Sequence, residues 1–142
     1  MKLKRVLLVI VVLLALLIAS GVIAGMIWPR INDVQTGETP EYPRLQPQHF
    51  KVPVYQVFDA ALATARDLGW QQIEEDRPNG KIFAVETTRI FRFRDDITIT
   101  IQPDGAGGAI VNVRSHSRVG KGDFGTNARR IERFQTELAR RL

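Results

Sequence analysis

Cysteine is absent from the 142-residue chain, and histidine occurs only as His49 and His116. Without cysteine the chain has no disulfide framework, no thiolate ligands for zinc and no thiol nucleophile. His49 lies in a proline-rich stretch and is expected at the surface. His116 is therefore the single histidine to consider as a catalytic base.

Charge is also missing from residues 6–28, where 23 consecutive positions carry neither an acidic nor a basic side chain. At about 1.5 Å per residue, a helix of this length spans roughly 35 Å, enough for a bilayer core of about 30 Å. Trp28 ends the run at the place of an interfacial aromatic residue. Residues 1–28 are therefore predicted to form a single-pass transmembrane anchor.

Basic residues flank this anchor unequally, with Lys2, Lys4 and Arg5 before it and Arg30 after it. Because positive charge favours the cytoplasmic side, the N-terminus is predicted to lie in the cytoplasm. In a bacterium this arrangement describes an inner-membrane protein whose domain faces the periplasm.

Two further interpretations concern the same segment. Cleavage after the small-residue site Val22-Ile23-Ala24 would make residues 1–24 a signal peptide and leave a soluble periplasmic domain. The apolar run exceeds the usual signal-peptide core of about 7 to 15 residues, which favours a retained anchor. Gly21 and Gly25 form a G-x-x-x-G pair, a pattern that would support a homo-oligomer through helix association.

Beyond the anchor the charge is nearly balanced, since residues 31–142 contain 16 basic and 15 acidic side chains. We expect no nucleic-acid partner from such a balance and such a location. Frequent prolines among polar residues make 29–52 a predicted extended tether. Residues 53–142 then have the length of one small domain.

Two amphipathic helices are predicted in this domain. The first begins at Val54, runs for about 15 residues with apolar positions on one side, and is capped by Gly69. The second covers about Thr126 to Arg141. Arg130 lies on the flank of its apolar face, close enough to reach back towards the end of the preceding strand.

Between the helices the pattern changes to that of β-strands. Ile97, Ile99 and Ile101 alternate with polar residues, and Asn79-Gly80 is a hairpin signal. The predicted strands are about residues 70–76, 81–89, 97–102 and 109–117. The fold class is therefore α+β, with a three- or four-stranded antiparallel sheet covered on one face by two helices.

Glycine and charged residues are concentrated at the junction between the last strand and the last helix. Residues 120–125 match G-x-G-x-x-G, but the chain ends at Leu142 without the second parallel strand of a dinucleotide fold, so no cofactor is expected. A glycine-rich turn at a helix N-terminus, surrounded by basic residues, is suited to an anion. Phosphate, a carboxylate or a lipid head group would each fit.

The same residues have a second, purely structural interpretation. Arginine pairs well with carboxylates because its planar group donates two parallel hydrogen bonds. An ionic clasp would then lock the last helix onto the sheet, and the glycines would serve only the turn. The groups available for it are the carboxylates of Asp95, Asp96 and Asp123 and the guanidinium groups of Arg114, Arg118 and Arg130.

Catalysis has little support at this junction. Side chains alternate along a strand, so Ser115 and Ser117 face away from His116 and neither serine has a base. Asp95 and Asp96 point to opposite faces for the same reason, which argues against a metal pair. No catalytic or metal-binding residue is therefore assigned.

Three motifs relate the chain to a known family: Ile31-Asn32-Asp33, Phe93-Arg94-Asp95-Asp96 and, most specifically, R-S-x-S-R-x-G-x-x-D-x-G-x-N-x-x-R-I at 114–131. Together they resemble the DUF1499 family of bacterial and plastid proteins, which has no assigned activity, and the resemblance covers about residues 31–142. Lys121 and Gly122 fall at variable positions, so the dinucleotide pattern is not part of the resemblance. The matched positions, which are also the candidate binding residues, are Arg114, Ser115, Ser117, Arg118, Gly120, Asp123, Gly125, Asn127 and Arg130.

The expected function is a non-enzymatic, membrane-anchored protein of the bacterial envelope. Its contact or anion site would be the junction from Arg114 to Arg130, supported by Asp95 and Asp96. An envelope lipid, an anionic small molecule and a protein are the partners considered. One alternative is a hydrolase that uses Asp95, Asp96 or Asp123 as a general base in an arginine-lined pocket. Another is a structural protein whose polar motif only stabilises the fold.

Overall fold

The computed structural model of the chain describes residues 2–89, 92–105 and 107–142. Met1 of the predicted anchor and Ala106, in the turn before the last predicted strand, lie outside the described residues. Helix α1 runs from Lys2 to Ile27. Its segment Leu3–Ile27 is long and apolar enough to cross a membrane, a property that an anchor and a signal sequence share.

Six strands follow α1 in the described part of the chain and form one antiparallel sheet. They are β1 (Asp33–Gln35), β2 (Gln48–Phe50), β3 (Gln71–Asp76), β4 (Lys81–Thr87), β5 (Arg94–Asp104) and β6 (Gly108–Ser117). The order across the sheet is β1-β6-β5-β4-β3, and β2 also pairs with β6. The predicted number of three or four strands is wrong, because β1 and β2 come from the proline-rich segment.

The two additional strands are short and depend on distant pairing. Val34 in β1 is fully buried and lies opposite Ser115 of β6. Just after it, the backbone N–H of Thr36 donates to the carbonyl of Val113, and the Thr36 hydroxyl accepts from the Val113 N–H, each over 3.0 Å. Proline has no N–H to continue such a ladder, and β2 begins directly after Pro47.

Two helices complete the domain, α2 (Val54–Asp67) and α3 (Thr126–Ala139). Their buried residues join the isoleucines and valines of β5 and β6 in one core cluster. The rings of Trp70 and Phe134 stack within it, with centroids 5.3 Å apart. Burial of each large aliphatic side chain contributes about 1.5 to 3 kcal/mol, so this face of the sheet supplies most of the hydrophobic stabilisation.

Alternation along β5 and β6 decides which side chains lie beneath the helices. The covered face carries Asp95, Ile97, Ile99 and Ile101 from β5 and Val111, Val113, Ser115 and Ser117 from β6. The opposite face, which we call the open face, carries Asp96, Arg114 and His116. At the end of both strands next to the start of α3, the covered face therefore carries polar residues where the rest of it carries apolar core residues.

Candidate functional site

Residues 118–125, which we call the junction loop, join β6 to α3 beside the first residues after α1. The backbone N–H of Asp123 donates to the carbonyl of Ile31 over 3.1 Å, and that of Ser117 donates to Asn32 over 2.8 Å. The side-chain amide of Asn32 donates in turn to the carbonyl of Gly120 over 2.6 Å. These bonds hold the loop against the segment that leaves α1.

Asp123 caps helix α3 from two residues before the helix boundary. One carboxylate oxygen accepts from the backbone N–H of Gly125 over 2.9 Å, and the other accepts from that of Asn127 over 2.7 Å. These amides belong to the first turn, where no carbonyl of the helix is available to them. The negative charge also opposes the positive end of the helix dipole, so Asp123 stabilises the start of α3.

Trp28, at the end of α1, packs against the same loop. Gly125 has φ 74°, a left-handed conformation that glycine adopts without steric cost. A Cβ atom at this position would lie 2.5 Å from Cδ1 of Trp28, so the tryptophan also requires glycine here. The Arg129 guanidinium carbon lies over the Trp28 ring, 5.8 Å from the ring centroid.

Arg130 is the centre of a buried polar network beneath the start of α3. It is paired with Asp95 over 2.6 Å, and the side chains of both residues are only 3 % exposed. A second carboxylate, that of Glu86, accepts from its Nε. Its Nη1 donates to the hydroxyl of Ser115 over 2.8 Å and to Oδ1 of Asn127 over 2.6 Å.

Asn127 extends this network to the segment after α1. Its Oδ1 accepts from the Ser115 hydroxyl over 2.6 Å, while its Nδ2 donates to the Ser117 hydroxyl over 2.9 Å and to the Asn32 carbonyl over 3.1 Å. Burying charges is costly unless each one is paired and hydrogen-bonded. The network meets that condition and connects α3, β4, β5, β6 and the residues before β1.

Two exposed ion pairs lie on the open face. Arg118 donates to both carboxylate oxygens of Asp96, at 2.6 to 3.0 Å, and Arg114 donates to Asp33 from its Nε over 2.9 Å. The hydrogen bonds from Arg118 lower the pKa of Asp96 below its ordinary value of 3.8, and those from Arg114 do the same for Asp33. Reciprocally, the bonds to the carboxylates raise the pKa of both arginines.

The structure therefore distributes the nine candidate binding residues among three places. Arg114 and Arg118 lie on the open face, away from α3. Gly120, Asp123 and Gly125 shape the junction loop. The buried network contains Ser115, Ser117, Asn127 and Arg130, with Asp95 in support. The interpretation as one clasp is wrong in this respect. The alternation of β6 puts Arg114 on the other side of the sheet from Arg130, and Arg118, the first residue after β6, pairs with Asp96 on that same open face.

The groups considered for catalysis are separated by the same alternation. Ser115 and Ser117 are buried under α3, whereas His116 lies on the open face. Asp95 and Asp96 also occupy opposite faces. Among the described residues no group of three or more histidine, aspartate or glutamate side chains is placed to hold a metal ion.

An apolar cleft of about 450 Å³ opens next to the buried network. Its walls include Phe93, Val119 and Phe124, and Asp95 and Ser117 reach it from the network. Val119 and Phe124 are each 56 % exposed. The cleft also borders Thr88, Arg89, Gly120, Gly122, Asp123 and Thr126.

A second cleft, of about 350 Å³, lies between α1 and the junction loop. Trp28 and Arg30 line it on the side of α1, and Lys121 and Phe124 line it on the side of the loop. Gly122 and Phe124 contribute to both clefts. The junction loop thus separates an apolar cleft in the domain from a cleft beside α1.

The sequence reasoning missed several residues of this region. No local pattern connects Glu86 with its partner Arg130, because the two positions are far apart in the chain. Val119 and Phe124 stand at variable positions of the motif. The sequence does contain a signal for them, because two large apolar residues stand in a loop otherwise made of glycine and charged residues. Such residues are exposed on the surface unless another element packs on them.

The fold and the site define a small α+β domain behind an apolar N-terminal helix, with a buried arginine network beside an apolar cleft. The chain belongs to the DUF1499 family, described as "Protein of unknown function", whose model matches residues 27–138. The match begins at the end of α1 and includes all six strands and nearly all of α3. No curated protein matches the chain significantly.

Proposed function

We propose that this protein is a membrane-anchored, non-enzymatic binding protein that holds the acyl part of an anionic lipid in the apolar cleft. The observation that carries the proposal is the cleft itself, with Phe93, Val119 and Phe124 exposed along one opening. Ligand pockets are mostly apolar with a few polar groups that fix orientation, and here Asp95 and Ser117 occupy that position.

Charge near the cleft favours an anionic ligand. Arg89 lines the cleft, and Lys121 belongs to the loop that forms one wall. Neither residue has an ion-pair partner among the described residues, whereas Arg114, Arg118 and Arg130 are all paired with carboxylates. The expected anion contacts are therefore Arg89 and Lys121, and not the three arginines that are paired with carboxylates.

The proposed location is the periplasmic face of a bacterial inner membrane, with α1 retained as the anchor. The uneven basic flanks of α1 support this orientation. A lipid ligand would then reach the cleft from the membrane that holds the protein.

The test is the lipid that copurifies with the full-length chain, measured by mass spectrometry after gentle detergent extraction. Phe124→Asp places a charge in the cleft wall, and aspartate tolerates the left-handed conformation of this residue, φ 52°. We expect it to lose most of the bound lipid. Phe83→Asp is the matched control, because Phe83 is 39 % exposed and is not part of the cleft lining. Equal lipid in the two variants would contradict the proposal.

The hydrolase alternative rests on a narrower observation, that Asp95 and Asp123 both line the cleft. The two oxygens of Asp123 accept from backbone amides, and one oxygen of Asp95, Oδ2, accepts from Arg130. A general base needs an oxygen free to take a proton from the attacking water. These contacts favour binding over catalysis.

A further inference from the structure

The junction loop carries exposed apolar side chains on the side of the domain nearest to α1. Outside α1, six large hydrophobic residues of the described chain are exposed: Tyr55, Phe83, Phe93, Val119, Phe124 and Leu142. Three of the six border one cleft, and Phe124 borders the cleft beside α1 as well. Such clustering indicates an interaction surface rather than scattered exposure.

Chain length fixes how far this loop can lie from the end of α1. The backbone N–H of Asp123 is bonded to the carbonyl of Ile31, only four residues after the last residue of α1, Ile27. Four residues span at most about 14 Å even when fully extended. A membrane that contains α1 therefore has its surface within reach of the loop.

Trp28 brings the loop closer still. Its ring packs against Gly125, and Arg129 lies over it while donating to the carbonyl of Phe124 over 2.9 Å. Tryptophan at the end of a transmembrane helix sits at the level of the lipid head groups. The loop atoms in contact with Trp28 are then at nearly the same depth.

Two cations complete the surface. Arg30 and Lys121 both line the cleft beside α1, and neither has an ion-pair partner among the described residues. Lysine and arginine at a membrane surface are attracted to anionic head groups, and their long apolar stems fit the interface.

We propose that the junction loop is a membrane-contacting surface, in which Val119 and Phe124 insert into the interfacial region of the bilayer that holds α1. Arg30 and Lys121 contact anionic phospholipid head groups beside them. The inference requires α1 to span the membrane, but it does not require any ligand in the apolar cleft. It gives the domain a fixed face towards the lipid, with the apolar cleft opening at the bilayer surface.

The absence of cysteine allows a direct depth measurement on the full-length chain. Val119→Cys and Phe124→Cys, each carrying a nitroxide label, would be placed in nanodiscs of phosphatidylglycerol and phosphatidylcholine. Electron paramagnetic resonance then compares collisions with oxygen, which concentrates in lipid, and with a water-soluble nickel chelate. We expect both labels to be several-fold less accessible to the chelate than a label at Lys81→Cys, at the exposed first residue of β4.

A label at Leu14→Cys, in the middle of α1, reports whether the helix is inserted. If that label is in lipid while the labels at 119 and 124 are as accessible to the chelate as the one at 81, the proposal is overturned. A Leu14→Cys label in water would overturn it too, by removing its premise. Membrane contact without copurifying lipid would leave this inference standing and reject the proposed function.

The charge contribution is tested separately with Lys121→Gln. We expect this change to increase chelate accessibility at position 124 in phosphatidylglycerol discs and to have little effect in pure phosphatidylcholine. The same accessibility in both lipids, with and without Lys121, would overturn the head-group contact.

Discussion

Arg130 and Arg118 belong to the same motif and both pair with aspartate, yet their surroundings differ. The side chain of Arg130 is 3 % exposed, and its network includes two carboxylates, whereas that of Arg118 is 42 % exposed on the open face. Losing one partner of a buried pair leaves an uncompensated charge in the interior, while an exposed pair is screened by water. We therefore expect the same substitution to lower the free energy of unfolding by different amounts at the two arginines.

Arg130→Ala is expected to lower the free energy of unfolding by about 3 to 5 kcal/mol, because it leaves Asp95 buried without its partner. Arg118→Ala should leave that free energy nearly unchanged. Urea denaturation of the full-length chain in detergent, followed by tryptophan fluorescence, measures both. Similar losses in the two variants would show that the buried network is not the main polar stabiliser.

At the scale of elements, helix α3 is the part most dependent on the junction loop. Its first turn has no capping side chain at the boundary residue, Gly125. Asp123 supplies the acceptors instead, and the same residue ties the loop to Ile31 through its backbone. The helix start therefore depends on the side chain of Asp123, and the loop position depends on its backbone.

Asp123→Ala is predicted to cost about 0.5 to 2 kcal/mol of folding free energy, the usual range for a lost helix cap. Amide hydrogen exchange should increase mainly at the first turn of α3. Asp104→Ala is the control, since it removes the same charge from an exposed aspartate whose partner is His49. If both variants exchange alike at α3, the capping role of Asp123 is refuted.

Much of the element order could be predicted from local patterns. The helices at Val54 and Thr126 and the strands around Ile97 and Asn112 have clear periods, and all four are present. Strands β1 and β2 could not be predicted in this way. They are three residues long and are stabilised by pairing with β6, more than 50 residues away in the chain.

The candidate site was predictable only in part, for a related reason. Its position at the junction and the reach of Arg130 towards the strand follow from helical and strand periods. The pairing of carboxylates with arginines depends on the strand register. The register of β5 and β6, for example, places Asp95 opposite Ser117. Register is a property of the assembled sheet and is not written in any short stretch of the sequence.

The whole molecule combines a nearly neutral domain with a basic, apolar N-terminus. Lys2, Lys4, Arg5 and Arg30 account for most of the net charge of +5. A retained anchor would place the junction loop at the membrane surface, whereas cleavage after Ala24 would leave only Gly25 to Ile27 of α1 on the domain. Retention of the anchor therefore decides whether the proposed membrane contact can form.

We expect the mature protein to keep its N-terminus and to expose its domain outside the cytoplasmic membrane. The purified membrane protein should have the full mass of 16.0 kDa. A Gln102→Cys variant should react with a membrane-impermeant maleimide in bacterial cells whose outer membrane has been permeabilised, because the chain has no other cysteine.

Substitution of the basic residues at the start of α1 tests this orientation with a matched control. Changing Lys2, Lys4 and Arg5 to glutamate removes the positive bias that holds the N-terminus in the cytoplasm, so external labelling at position 102 should fall. Exchanging the same residues among lysine and arginine keeps the charge and should keep the labelling. A mass shortened by the first 24 residues would contradict a retained anchor. Full-length protein labelled only after cell lysis would instead place the domain in the cytoplasm and reverse the proposed orientation.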